Sequence, residues 1–189
     1  VKIERRTLLF LGGVGAVMTP LVWFLLKDYQ RQRILTFLDP ERDPLGAGYH
    51  IIQSKIAIGS GMTAGKGFLQ GTQNVLSFLP EQHTDFIFSV IGEELGLVGV
   101  LTVIACYGII IWRGIRIARS ATGTFATLLA AGLTFAFGLQ VCINMGVALA
   151  LLPTKGLTLP LLSYGGSSLL VNMAGIGLLM NIGAAERHG

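Results

Sequence analysis

Charge is scarce in this sequence. Asp, Glu, Lys and Arg make up 13% of its 189 residues, against 52% hydrophobic. Ordinary soluble domains carry about a quarter charged residues, so the composition excludes that class. Cysteine is scarcer still. Cys106 and Cys142 both fall inside apolar runs, where a disulfide framework is not expected. No stripe of basic and aromatic residues exists, so the net charge of +4 reads as membrane topology and not as nucleic-acid binding. What the chain has in quantity is glycine, 26 residues, and long apolar runs. These identify a helical integral membrane protein.

Lys2, Arg5 and Arg6 lead into an apolar segment at 7–26, long enough to cross a hydrocarbon core of roughly 30 Å. No small-residue cleavage site follows it, so it reads as a spanning helix and not as a signal peptide. Further apolar segments at 86–112, 124–152 and 167–183 complete an expected all-α membrane domain of about four transmembrane helices over 1–189. Arg113, Arg116 and Arg119 follow the second span, and Arg187 follows the fourth. The positive-inside tendency puts these clusters, and both termini, in the cytoplasm. The large loop 27–85 and the second loop 153–166 then face outside. Because a basic cluster runs from Val1 straight into a span, the chain is expected to be part of a longer protein.

The 27–85 loop carries six Lys/Arg and six Asp/Glu. Ile51, Ile52 and Ile56 recur at helical spacing and predict a short amphipathic helix at the membrane interface. A glycine-rich stretch, Gly59-Ser60-Gly61 and Gly65-Lys66-Gly67, follows. It is not a P-loop, because Gly67 stands where that motif needs Ser or Thr. The loop ends in Pro80-Glu81-Gln82-His83-Thr84-Asp85, directly before a long apolar run. Two roles fit that junction. Thr84 or Asp85 caps the next helix, as such residues commonly do. Alternatively the acid is functional, since an ionisable group at the edge of the hydrocarbon is costly to keep.

Topology directs Asp85, Glu93 and Glu94 toward the same membrane face as Lys55, Lys66 and Lys155. This set suits a substrate with a charged head and a lipid tail: an acid to take a proton, and cations to stabilise a phosphate or diphosphate leaving group. Plainer roles exist for each. Glu93 and Glu94 pair with a basic residue on another helix, and Lys55 and Lys66 are interface anchors. Glu81, His83 and Asp85 at alternate positions fall short of a metal-site signature and hint only at a divalent ion. Gly92, Gly96 and Gly99 predict a flat helix face for close packing. Gly165 and Gly166 read as turn and packing residues.

Three longer motifs say more. Leu79-Pro80-Glu81-Gln82-His83-Thr84-Asp85-Phe86-Ile87-Phe88 with Gly92-Glu93-Glu94-Leu95-Gly96 is one. Pro153-Thr154-Lys155-Gly156-Leu157-Thr158-Leu159-Pro160 with Ser163-Tyr164-Gly165-Gly166-Ser167-Ser168 is another, and the third runs from Asp43 through Gly61. Together they resemble the SEDS family of shape, elongation, division and sporulation proteins, which includes RodA and FtsW. The 27–33 and 43–61 stretches look like RodA; the Pro-Thr-Lys-Gly loop and Gly92-Glu93-Glu94 look more like FtsW. RodA is favoured.

The resemblance implies the C-terminal four helices of a ten-helix bundle in the bacterial cytoplasmic membrane. It implies a peptidoglycan glycosyltransferase that polymerises lipid II at the outer face, for elongation or division. Asp85 matches the family's external-loop aspartate and would be the general base, with undecaprenyl diphosphate leaving and a β-1,4 link formed with inversion. Candidate substrate-binding residues are Lys55, Lys66, Lys155, Gln53, Ser54, His83, Thr84, Glu93, Ser163, Gly165 and Gly166. No cofactor is firmly implied, although Mg or Mn is compatible with a diphosphate leaving group. A class B penicillin-binding protein, cell-shape or divisome membrane proteins and membrane lipid are the implied partners. Two other readings stay open: a flippase for lipid-linked precursors, motivated by intramembrane acids and interrupted helices, and a non-catalytic scaffold that docks a partner on the glycine face.

Overall fold

The computed structural model describes residues 24–40, 46–67, 70, 85–153 and 156–185. Five helices are bounded within the described residues: α1 (Asp28–Leu38), α2 (Ala47–Ser60), α3 (Ile87–Ser120), α4 (Thr124–Ala148) and α5 (Gly166–Ala185). The last three are long and apolar enough to cross a membrane. They match three of the four expected spans, and most of the 7–26 span lies outside the described residues. The second span runs further than its apolar stretch, to Ser120, because the arginines continue the helix beyond the hydrophobic run. There the Arg116 guanidinium lies 4.2 Å from the Trp112 ring centroid. An indole and a stacked cation one turn apart make an interfacial anchor.

α3 and α4 run antiparallel through a short turn at 121–123 and pack along each other. Their crossing is close because Gly114 faces Thr134, where an added Cβ would collide with the hydroxyl. The core at one end of the bundle holds Phe88, Tyr107, Phe137, Val141, Ala148 and Leu159. Ala118, Ala130 and Leu179 pack at the other end. Outward faces carry large apolar side chains such as Leu101, Phe135, Leu170 and Met180. A bilayer, or further apolar helices within it, is the environment such faces need.

Two interruptions set the geometry of the site. The first lies within α3 at Gly96 (φ 63°, ψ −157°), a conformation open in practice only to glycine. The break leaves carbonyls free on one side and N–H groups free on the other, and the 61–67 turn fills it. Lys66 and Gly67 N–H groups donate to Glu93 and Glu94 carbonyls, both at 3.0 Å. Leu97 and Val98 N–H groups donate to Met62 and Thr63 carbonyls at 3.0 and 3.3 Å. The expected continuous glycine face is therefore not a free docking surface. Gly92 packs on Ile58, and Gly96 packs on Gly61 and Gly65, too closely for any Cβ. α2 is helical as expected, but it is packed against α3 and α4, burying Ile51, Ser54 and Ala57.

The second interruption is the 149–165 connection. The third span was expected to reach residue 152, but α4 ends at Ala148, where Leu149–Leu152 turn back on Met145–Val147. Residues 156–160, an irregular segment called here the re-entrant strand for its course and not for any β-structure, then lie along the flank of α4. Backbone without regular structure at membrane depth needs protein partners for its polar groups. Here side chains supply them. Asn144 donates to the Leu157 carbonyl at 2.6 Å, Gln140 to Thr158 at 3.0 Å and Tyr107 to Pro160 at 2.5 Å. The Leu159 N–H donates to Ser163 Oγ at 2.7 Å. Asn144 and Gln140 lie four residues apart, one turn or about 6 Å, so both meet the strand as it descends.

Candidate functional site

Asp85 lies half-buried in the turn just before α3, at the bundle end where the 149–165 connection also sits. The N-cap position falls to Phe86 and not to Asp85, which leaves Asp85 outside the helix proper; Thr84, the other expected cap, lies outside the described residues. Phe86 is buried, stacks on the His50 ring at 6.0 Å and packs with Ala57 and Val147. The turn is thus nailed to α2 and α4 by an aromatic side chain beside the acid. Asn144, 1% exposed, reaches across from α4 and donates its Nδ2 group to the Asp85 carbonyl at 3.0 Å. The same nitrogen serves Leu157, so one carboxamide ties the acid's turn to the re-entrant strand. The Asp85 carboxylate faces that strand: a Cβ on Gly156 would stand 3.5 Å from Oδ2. Gly156 thus lies beside the acid, at ordinary contact distance.

The other expected site residues divide into three groups. Lys66 and Glu93, expected as separate substrate contacts, pair with each other at 2.7 Å. Glu93 is fully buried, and a carboxylate there needs a cation and hydrogen bonds to be tolerable. Ser54 is also fully buried; its hydroxyl donates to the Ala148 carbonyl at 2.5 Å and lies 2.6 Å from Ser89 Oγ. It ties α2 to α3 and α4. Ser163 serves the re-entrant strand, as above, and Gly165 borders Thr158 and Ser168. Gly166 opens α5 with open space around it. Lys55 is exposed on α2, and Gln53 is half-buried. Lys155, Thr84, His83 and Glu81 lie outside the described residues. The divalent-ion pattern falls largely among them; among the described residues no three His, Cys, Asp or Glu side chains come together.

The sequence reading missed Asn144, Gln140 and Tyr107. The signal was present: amide side chains four residues apart inside an apolar span need partners, and their common face marks where non-helical backbone docks.

Comparison with known proteins places this geometry. A family described as cell cycle protein, comprising FtsW, RodA and SpoVE, matches residues 3–188. The peptidoglycan glycosyltransferase MrdB of Escherichia coli K12 is 57% identical over 96% of this chain and 52% of its own length. A probable peptidoglycan glycosyltransferase FtsW of Trichlorobacter lovleyi is 49% identical over 94% of this chain and 47% of its own. Among solved structures, a chain of a peptidoglycan synthase complex, described as showing structural coordination of polymerization and crosslinking, superposes with TM-score 0.74. It is 36% identical, over 96% of this chain and 49% of that one. A mutant of the Thermus thermophilus rod shape determining protein RodA gives TM-score 0.55 at 39% identity, over 66% of this chain and 39% of that one. The higher identity to MrdB agrees with the RodA-like features of 27–33 and 43–61. The chain spans about half the length of the curated relatives it matches. It is a multi-pass membrane protein belonging to the FtsW/RodA/SpoVE family, the SEDS family anticipated from its motifs.

Proposed function

We propose that this chain carries the catalytic aspartate of a peptidoglycan glycosyltransferase that polymerises lipid II at the outer face of the bacterial cytoplasmic membrane. The observation that carries the reading is Asp85 itself. It is half-buried, held at a turn by Phe86 and Asn144, and faces Gly156 at the bundle end where the 149–165 connection sits. In the proposed reaction Asp85 takes the proton of the acceptor sugar hydroxyl as that oxygen attacks the anomeric carbon of the lipid-linked donor. The bond from that carbon to the diphosphate oxygen breaks, and undecaprenyl diphosphate departs with the electron pair. A β-1,4 link results, with inversion. Lys55 and Lys155 are the loop cations proposed to meet the diphosphate; Lys66 is engaged with Glu93. Related MrdB and FtsW proteins bear the glycosyltransferase name, which supports the chemistry. The similar synthase complex couples polymerization to crosslinking, which supports a penicillin-binding protein as partner.

Asp85→Asn in the full-length protein tests this. The variant should accumulate and melt like its parent, yet form no glycan from purified lipid II in proteoliposomes; undiminished polymerisation would remove Asp85 from the role. The broken α3 and the re-entrant strand also favour a transport reading, since discontinuous helices line many substrate paths. Movement of labelled lipid II across vesicles without glycan formation would establish that reading instead.

A further inference from the structure

We infer that Asn144 is a positioning residue for the reaction: its single carboxamide fixes the Asp85 turn and the 156–158 strand relative to each other, and so sets where the acid stands against substrate. The inference rests on the glycosyltransferase reading of Asp85. Asn144 does not touch the reacting atoms in this geometry. It acts through two main-chain carbonyls, Asp85 O at 3.0 Å and Leu157 O at 2.6 Å. A carboxamide nitrogen has two hydrogens in a fixed plane, and both are used. Because both partners are carbonyls, the nitrogen end of the amide must face them, which fixes its orientation.

Asn144 stands apart from the other groups that hold the strand. Gln140, Tyr107 and Ser163 each bond one of residues 158–160, whereas the Asn144 carboxamide bonds main chain on both sides. The Asn144 bond to Asp85 crosses 59 residues of sequence and the Leu157 bond 13, so this side chain joins two loops that the chain itself does not connect locally. The joint is rigid because Asn144 sits 1% exposed in the last turns of α4, beside the buried Val147 and Ala148. What it regulates is the gap between the Asp85 carboxylate and Gly156, where an added Cβ would already be 3.5 Å from Oδ2. A base displaced by about 1 Å from its productive position can lose on the order of 100-fold in rate.

The test compares Asn144→Ala with Gln140→Ala in the full-length protein, reconstituted in proteoliposomes with purified lipid II. Hydrogen exchange is followed in peptides covering 85–89 and 156–160. Asn144→Ala should raise exchange in both segments together and lower kcat about 10- to 100-fold, with KM within about twofold. Gln140→Ala should raise exchange in 156–160 alone and lower kcat much less. Asn144→Ser, whose hydroxyl can donate to only one of the two carbonyls, should fall between parent and alanine; it also serves if Asn144→Ala fails to accumulate. Equal effects of Asn144→Ala and Gln140→Ala on both exchange and kcat would reduce Asn144 to a general loop anchor and overturn the inference. A parent that polymerises while Asn144→Ala keeps its full kcat overturns it while leaving the Asp85 reading intact. A parent that makes no glycan at all sinks the reaction, and the positioning role with it.

Discussion

Replacing Gly96 with alanine strikes the interruption that shapes α3, and its cost can be worked from the geometry. At φ 63° and ψ −157° an alanine sits in a region that costs about 1–3 kcal/mol for a residue with a Cβ. That Cβ would also drive into the Gly65 nitrogen and stand 2.8 Å from the Gly61 carbonyl oxygen, both backbone atoms that cannot swing aside. The 61–67 turn must therefore withdraw, loosening the four hydrogen bonds that seal the break. Each is worth about 0.5–1.5 kcal/mol net, and losing two of them adds about 1–3 kcal/mol. A total of about 2–6 kcal/mol should lower the melting temperature of the longer full-length protein by roughly 4–12 °C, at about 2 °C per kcal/mol. Tryptophan fluorescence during heating of the full-length protein in detergent measures it. Gly108→Ala is the control: it lies in the same helix with nothing within 4 Å, where alanine should stabilise by about 0.5–1 kcal/mol. If Gly96→Ala melts within about 2 °C of its parent, the break is not held by this glycine and the account of the 61–67 turn fails.

Two further outcomes follow from the same structure. Lys66→Met should destabilise strongly, on the order of 3 kcal/mol, because Glu93 is fully buried 2.7 Å away. It should destabilise much less in a Glu93→Gln background, and a double-mutant cycle with no coupling between the positions would refute the pairing. Tyr164→Cys, at an 82% exposed position beside Gly165, should react with a membrane-impermeant maleimide added to intact spheroplasts. Gly123→Cys, in the turn between α3 and α4, should react only after permeabilisation; the opposite pattern would invert the proposed topology.

Much of the fold could be read from the sequence because membrane spans are set by composition. Runs of about 20 apolar residues leave few alternatives to helices, and the arginines at 113–119 stand at the far end of α3 from Asp85. The start of the second span at 85–88 was legible for the same reason: an acid at the edge of an apolar run stands out. Helix ends were less legible. Arginines are good helix formers, so α3 outlasts its hydrophobic stretch, whereas α4 stops short of its own because Leu149–Leu152 turn back on the helix. Of the two interruptions, the one after α4 was expected as the 153–166 loop, and the one at Gly96 was invisible. Gly96 looks the same in a sequence whether it packs a helix face or breaks one, and only the turn at 61–67, some thirty residues earlier, decides between them.

The two interruptions answer one physical problem. Each puts unpaired backbone within an apolar bundle, where every unsatisfied group would cost on the order of 1–3 kcal/mol, and each is sealed by a segment distant in sequence. The 61–67 turn seals the break with backbone, so its fit depends on glycines that let main chains touch. The 156–160 strand is held by side chains, so its fit depends on which polar residues α3 and α4 present. The first arrangement holds α2 and its glycine-rich continuation against the early turns of α3, the helix that begins just after Asp85. The second brings Gly156 beside the carboxylate. Asp85 therefore stands where a segment from the loop before α3 and a segment from the loop after α4 are both held, and its position is a property of the joints between them more than of its own neighbours in sequence.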